Sequence, residues 1–199
     1  MLIDVRREDA RCLADYAAIS PAFEVRAAVS APTLAIGEVR GALATRTVQP
    51  AYEKNYDRIP GNRPRDWPAL FCVDRACFLG AYADGHRVSS AVVILDPNDA
   101  ERLGADRHMA LLWDLRVARD ARRRGVEYAL LTEVEVVARA ADKVGIVAES
   151  QDINVAACET YAGAGYAITR IERDAYPELP GETRIVWTKA FEVVGPSPQ

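Results

Sequence analysis

The stretch that most restricts how this chain can fold is Met109 to Val117, Met-Ala-Leu-Leu-Trp-Asp-Leu-Arg-Val, with the long amphipathic run behind it. The first part reads as a largely buried strand carrying one acid, Asp114. After a short polar turn from Ala118 to Ala121, apolar residues recur at Val126, Ala129, Leu130, Val134, Val137, Ala138 and Ala141. That spacing is close to the helical period of 3.6. In this reading Arg122-Arg123-Arg124-Gly125-Val126 open the helix, and a second apolar strand, Val144 to Glu149, follows it. A strand–helix–strand unit predicts two adjacent parallel strands joined by a right-handed crossover.

The helix start also carries chemistry. Its first turn presents N–H groups without intrahelical partners and the positive end of the helix dipole. Three arginines and a glycine at that point predict an anion site, with Gly125 letting the backbone approach a diphosphate. The competing reading is a solvated basic helix start. A G-x-G-x-x-G fingerprint and a G-x-x-x-x-G-K-S/T phosphate loop are both missing, which argues against those nucleotide sites. Further on, the chain reads Asn154-Val155-Ala156-Ala157-Cys158-Glu159-Thr160-Tyr161. Asn154 and Tyr161 are close to two helical turns apart, so one face would carry an amide and a phenol. A phosphate cradle and a proton donor suggest a bound cofactor and a chemical step.

At these residues the chain resembles the GNAT superfamily of N-acetyltransferases. That superfamily's cofactor motif, Gln/Arg-x-x-Gly-x-Gly/Ala after a strand, runs here from Arg122 through Gly125 to position 127. The later Asn-x-x-Ala-x-x-x-Tyr and Gly-Tyr/Phe pattern is met by Asn154, Ala157, Tyr161, Gly165 and Tyr166. Within the superfamily, Phe23-Glu24-Val25, Pro50-Ala51-Tyr52-x-Lys54-x-Tyr56, Asp114-Leu115-x-Val117 and the run from Glu149 to Cys158 look like the streptothricin acetyltransferases. The likeness continues to Arg184–Phe191 and covers nearly the whole chain.

Three positions depart from the pattern. Glu127 stands where the family has Gly or Ala, and its carboxylate would oppose bound phosphates unless it points outward. Trp113 replaces the acid that usually precedes the aspartate matching Asp114. The acidic run that often follows the Tyr-x-Lys-x-Tyr segment is replaced by a net basic one, Asp57 to Arg65, which weakens the case for a polycationic antibiotic.

The resemblance implies an α/β (α+β) fold, a central mixed sheet with splayed parallel strands flanked by helices. It also implies acetyl transfer from acetyl-CoA to a primary amine, with no metal. An alkylammonium must lose a proton before it attacks, and its pKa lies near ~10. A carboxylate must take that proton, a preorganised donor must meet the developing oxyanion, and the departing thiolate is more stable once protonated. Asp114 is the first choice for base, against a paired structural acid. Glu149, at the end of the next strand, is the second, against a role in positioning the amine or closing a network. Tyr161 is the expected acid, against a tyrosine that only packs on pantetheine. The cofactor-binding set is Leu115, Arg116 and Val117 on the strand, Arg122, Arg123, Arg124, Gly125, Val126, Glu127 and Tyr128 at the turn, and Asn154 and Tyr161 beyond. Leu115 and Val117 would act through their backbone amides and Asn154 on the pantetheine chain.

Composition agrees with one compact domain over 1–194 and a fraying tail at 195–199. The chain has 199 residues, half of them hydrophobic, and a net charge of −4, unlike a nucleic-acid binder or a disordered chain. Cysteines at 12, 72, 77 and 158 lack C-x-x-C or ligand spacing with His86 or His108, so buried reduced thiols are expected. The charged N-terminus lacks a secretion core, and no window reaches the ~20 apolar residues that span a bilayer. A cytoplasmic protein with a small-molecule amine as partner, and neither nucleic acid nor membrane, is therefore expected. A homodimer stays open.

Along the chain, Phe23–Val29 and Leu34–Thr47 read as early strands. Pro50 to Pro68 reads as an irregular connection that either borders the acceptor site or packs over the core. Cys77–Tyr82 and Val88–Leu95 form a hairpin about Asp84-Gly85, and Pro97–Asp106 reads as a loop. The helix near Asn154–Ala162 and strands at Ala167–Ile171 and Arg184–Phe191 complete the reading. Glu133 and Glu135 are expected in solvent, His86 as a solvated hairpin residue, His108 on a loop or lining the acceptor pocket, and Trp113, Trp187 and Tyr166 in the core or a pocket wall. Two other classes stay open: a protein lysine or N-terminal acetyltransferase, and a non-catalytic module that keeps the fold, for which Glu127 and Trp113 speak.

Overall fold

The computed structural model describes residues 2–30, 35–39, 41–177 and 179–192. Its elements run β1 (Ile3–Glu8), α1 (Leu13–Ala18), β2 (Phe23–Val29), β3 (Gly37–Glu38), β4 (Thr45–Lys54), β5 (Cys77–Ala83) and β6 (His86–Ile94). Then follow α2 (Pro97–Arg102), β7 (Ala110–Val117), α3 (Val126–Ala140), β8 (Gly145–Gln151), α4 (Val155–Gly163), β9 (Ala167–Arg173) and β10 (Thr183–Ala190). The main sheet has the order β1-β5-β6-β7-β8-β10-β9-β3, and β2 pairs with β4 as a separate ribbon. Every pairing is antiparallel except β7 with β8.

That parallel pair organises the molecule. It is held only at Ala110↔Ile146, Leu111↔Val147 and Leu112↔Ala148, and beyond those positions the strands part. On the other side of β7 the register slips, with Val93 opposite Leu112 and Val92 opposite Asp114, so Trp113 is the extra residue of a bulge. A bulge bends its strand and increases the local twist, and here it sits where the ladder to β8 ends. The crossover helix α3 buries Val126, Leu130, Leu131, Val134, Val137 and Ala138. These pack with Leu79, Ala91, Val93, Leu112, Ile146 and Ala148 from the sheet. Burying one such side chain stabilises the fold by about 1.5–3 kcal/mol. The opposite face carries a second cluster around Tyr16, Trp67, Phe71, Phe78, Val92 and Leu111.

Several boundaries differ from the sequence reading. The helix begins at Val126, so Arg122 to Arg124 lie in the turn ahead of it, and Gly125 is its N-cap at φ 79°. Pro97–Asp106 contains α2, capped by the Asp96 side chain with Pro97 in the first turn; the Asp-Pro pair was the available signal. Pro50 to Lys54 belong to β4 rather than to a loop. The remainder of that connection folds into 3₁₀ turns at Tyr56–Arg58 and Pro64–Ala69, the second burying Trp67. Between Leu34 and Thr47, strand covers only Gly37–Glu38 and the start of β4, while Leu34 lies outside the described residues. The tail 195–199 lies outside them too. Glu133 and Glu135 are not free in solvent: Arg7 pairs with the first at 2.7 Å, and Lys189 pairs with the second. β1 and α1 carry too short a periodic signal to be read beforehand. No helix among the described residues is long and apolar enough to cross a membrane.

Candidate active site

The cleft between β7 and β8 receives groups from both sheet faces. Tyr161 rises from α4, with 7% of its surface exposed, and its ring lies 5.5 Å from Tyr166 and 5.9 Å from Trp187. Trp187 is fixed in turn by Nε1 donating to Ser150 Oγ at 2.8 Å. Burial raises the Tyr161 phenol above its ordinary range, and the charges of Asp114, Cys158 and Glu149 push it the same way. Asn154 caps α4, its Oδ1 accepting from Ala157 N–H at 3.3 Å, which leaves the amide NH₂ for other partners.

At the outer end of the cleft, the turn after β7 opens toward solvent. The first intrahelical bond of α3 is Ala129 N–H to Gly125 O, 3.2 Å, so the amides of Val126, Glu127 and Tyr128 precede it. Arg123 and Gly125 both have positive φ, 59° and 79°, curling the backbone of the turn. A Cβ on Gly125 would meet nothing within 4 Å, so the space in front of the turn is open. This turn fits an anion such as a diphosphate. The arginines contribute unequally, contrary to the sequence reading. Arg122 donates from Nε to Val117 O (3.1 Å) and from Nη2 to Ala22 O (2.8 Å), tying the turn to β7 and β2. Burial lowers its pKa, and the neighbouring charge of Arg119 adds to this against the pull of Glu127. Arg123 and Arg124 are exposed, and Glu127 is half-buried in the first turn.

The opposite, inner end is built from ion pairs. Arg116, with a side chain 2% exposed, grips Asp57 with both terminal nitrogens at 2.8 Å and Asp114 with Nε at 2.6 Å. Its guanidinium lies 5.5 Å from the Tyr16 ring and 5.6 Å from that of Trp67. Tyr16 Oη donates to Asp114 Oδ2 at 2.9 Å. Arg116 was expected at the cofactor; its side chain instead holds the loop after β4 against β7. Asp114 was the first choice for base, yet it already accepts from an arginine and a tyrosine.

Glu149 is the more accessible acid. It stands one residue past the last β7–β8 pair, and Tyr176 Oη donates to its Oε1 at 2.5 Å. Gln151 Nε2 donates to the same phenol at 2.9 Å. Glu149 Oε2 has Arg184 Nη1 at 3.6 Å. Nearby, Glu182 accepts from Lys54 Nζ and from Tyr56 Oη, the latter at 3.0 Å. Tyr176, Arg184, Glu182 and Asp57 went unassigned in the sequence. Only the Tyr-x-Lys-x-Tyr segment hinted at this end, because its partners come from a connection more than a hundred residues later. Among the described residues no three His, Cys, Asp or Glu side chains group as for a metal.

The sheet thus opens at one parallel pair, with a curled turn of open amides ahead of α3 and acids where the strands part. The family model of the acetyltransferase (GNAT) family matches residues 44–166, and the chain belongs to that family. Streptothricin acetyltransferase A of Bacillus subtilis (strain 168) is 36% identical over 84 residues, covering 41% of this chain and 49% of the relative. The chain thus spans about half the length of that curated relative. A solved structure from Bacillus anthracis str. Ames, described as a candidate streptothricin acetyltransferase in complex with acetyl coenzyme A, superposes with a TM-score of 0.72 at 22% identity, covering 96% of this chain and 100% of that one. Nourseothricin acetyltransferase gives 0.68 at 17% identity, with 96% and 99% covered. The ribosomal-protein-S18-alanine N-acetyltransferase of Escherichia coli gives 0.63 at 15%, with 100% and 99% covered. At these identities the structural likenesses speak for the fold.

Proposed function

We propose that this chain transfers acetyl from acetyl-CoA to a primary amine of a small molecule, in its narrowest form a streptothricin-like antibiotic, within one domain over 1–194. The observation that supports this reading is the parting of β7 and β8 after Leu112 and Ala148, with Asp114 and Glu149 on the two strands just beyond that point, together with a helix start whose first amides are open. The name of the Bacillus subtilis relative supports the narrow form. Acetyl-CoA supplies an acetyl group activated as a thioester. In this reading the amides of Val126 to Tyr128 hold its diphosphate, and β7 amides at Leu115 and Val117 face the pantetheine end. Glu149 receives the proton that the acceptor nitrogen loses as the N–C bond forms. Tyr161 delivers a proton to the sulfur as the C–S bond breaks; a phenol is protonated at neutral pH with or without the rise that burial brings. Asp114 becomes a positioning acid in this reading, since its Oδ2 already accepts from both Arg116 and Tyr16.

The test is calorimetry with acetyl-CoA, followed by thiol release with streptothricin, free β-lysine and a lysine-containing peptide. Saturable binding plus release with the small amines supports the proposal. Release with the peptide alone moves the acceptor to proteins. Binding without release on any acceptor leaves a non-catalytic module.

A further inference from the structure

Tyr176 sits on the connection between β9 and β10 and belongs to none of the hydrophobic clusters. Its contacts are instead polar or cationic: Glu149, Gln151, and the Arg184 guanidinium 5.3 Å from its ring. A tyrosine kept for packing would bury its ring among apolar side chains. This one is held over a carboxylate at the mouth of the cleft. The connection turns back on itself through Leu179 N–H to Tyr176 O (2.9 Å) and Glu182 N–H to Leu179 O (3.2 Å). One segment thereby brings Tyr176 to Glu149 and Glu182 to Lys54 and Tyr56.

We infer that Tyr176 is a positioning residue for Glu149; this rests on the acetyl-transfer reading. The phenol fixes Oε1, and Gln151 fixes the phenol, so the carboxylate has one set orientation. Oε2 has Arg184 beyond normal hydrogen-bond length, and it is the oxygen left to meet an ammonium. Burial raises the pKa of Tyr176, and the Glu149 charge raises it further, so the phenol remains a donor wherever the amine reacts.

The experiment is a double-mutant cycle on thiol release, with acetyl-CoA and either streptothricin or β-lysine, in wild type, Tyr176→Phe, Glu149→Gln and the pair. Hydrogen bonds to charged groups are worth about 1.5–3 kcal/mol, so Tyr176→Phe should lower kcat roughly tenfold or more, with KM for acetyl-CoA unchanged. In the Glu149→Gln background it should cost nothing further, because the group it orients is gone. Gln151→Met, which loosens the phenol and also removes the long 3.4 Å bond from Gln151 Nε2 to Glu149 Oε1, should give a loss in the same direction and stands in if Tyr176→Phe folds poorly. Full additivity in the double variant, or wild-type kcat in both Tyr176→Phe and Gln151→Met, overturns the inference alone. A wild type that releases no thiol with either amine overturns the small-molecule acetyl-transfer reading and this inference with it.

Discussion

The two ends of the cleft are made of different materials. The end proposed to hold the donor is backbone: amides ahead of Ala129, a turn curled by Arg123 and Gly125, and open space at the Gly125 Cβ position. The acceptor end is side chain, and its charges are already turned on one another, with Arg116 between Asp57 and Asp114, Lys54 on Glu182, and Arg184 beside Glu149. A backbone cradle accepts any ligand with the right anion, because peptide groups are the same whichever side chains flank them. A network of paired side chains recognises an acceptor by what it leaves unpaired and by shape. The difference explains how a fold can keep one donor and change acceptors: the first end depends on a turn, the second on residues from four separate segments.

The largest expected effect falls where the ends meet. Tyr161→Phe should lower kcat by roughly 10²- to 10⁴-fold while leaving acetyl-CoA affinity nearly intact, as removal of a general acid typically does. Thiol release and calorimetry on one preparation separate the two quantities. Full activity in this variant would reduce Tyr161 to a wall of the cleft and move the proton source elsewhere.

Next comes the acceptor end's dependence on its buried cation. Arg116→Met strands Asp57 and Asp114, whose side chains are 19% and 24% exposed. Breaking a buried pair by removing one partner costs about 3–5 kcal/mol. Urea unfolding should show a loss of that order, with part of it recovered in Arg116→Lys, which keeps the charge but not the two-pronged grip. A loss below ~1 kcal/mol would mean that the network is held by its loops rather than by charge.

The same end should be sensitive to alkali. Tyr16, Tyr56 and Tyr176 all have pKa values raised above the ordinary 10.0, first by burial and then by Asp114, Glu182 and Glu149 respectively. Each folded value lies above its unfolded one, so the stability it contributes is intact below pH ~10 and is lost as pH rises from there through the folded value. Stability should fall by about 1.4 kcal/mol per pH unit for each phenol that ionises only in the unfolded chain. Unfolding midpoints from pH 8 to 11.5 test this, and the slope should shrink in Tyr176→Phe. A flat profile would show that these phenols are free to ionise in place.

The contrast also sets what the sequence could tell. β7, α3 and β8 were legible because periodicity, a glycine and short connections are local signals, and the parallel pair follows from handedness. Asp114, Glu149 and Tyr161 could be named from the family motif. The motif also ranked them, with Asp114 ahead of Glu149 as base, but without partners such as Arg116 and Tyr176, which bear on that rank and meet them only in three dimensions. Arg122 shows the same limit: the motif places it at the turn, but its guanidinium goes to two carbonyls of neighbouring strands. Asp96-Pro97 was a local signal passed over.

The smallest effect belongs to the one side chain that intrudes on the backbone end. Glu127 occupies the first turn of α3, half-buried, among amides that would face phosphate. As a carboxylate at a helix N-terminus it favours the helix by about 0.3–1 kcal/mol, and its charge also supports the half-buried Arg122. Toward a diphosphate the same charge is repulsive, by a similar amount in a solvent-open turn. Glu127→Gln keeps the side-chain length and removes only the charge. It should tighten acetyl-CoA binding by about two- to fivefold in calorimetry, the equivalent of 0.3–1 kcal/mol. Low salt should enlarge the gain and high salt erase it. An unchanged affinity at low salt would mean that the carboxylate turns to Arg122 and Arg119 when the ligand arrives, so that the donor end is closed by a side-chain ion pair after all and resembles the acceptor end more than its backbone suggests.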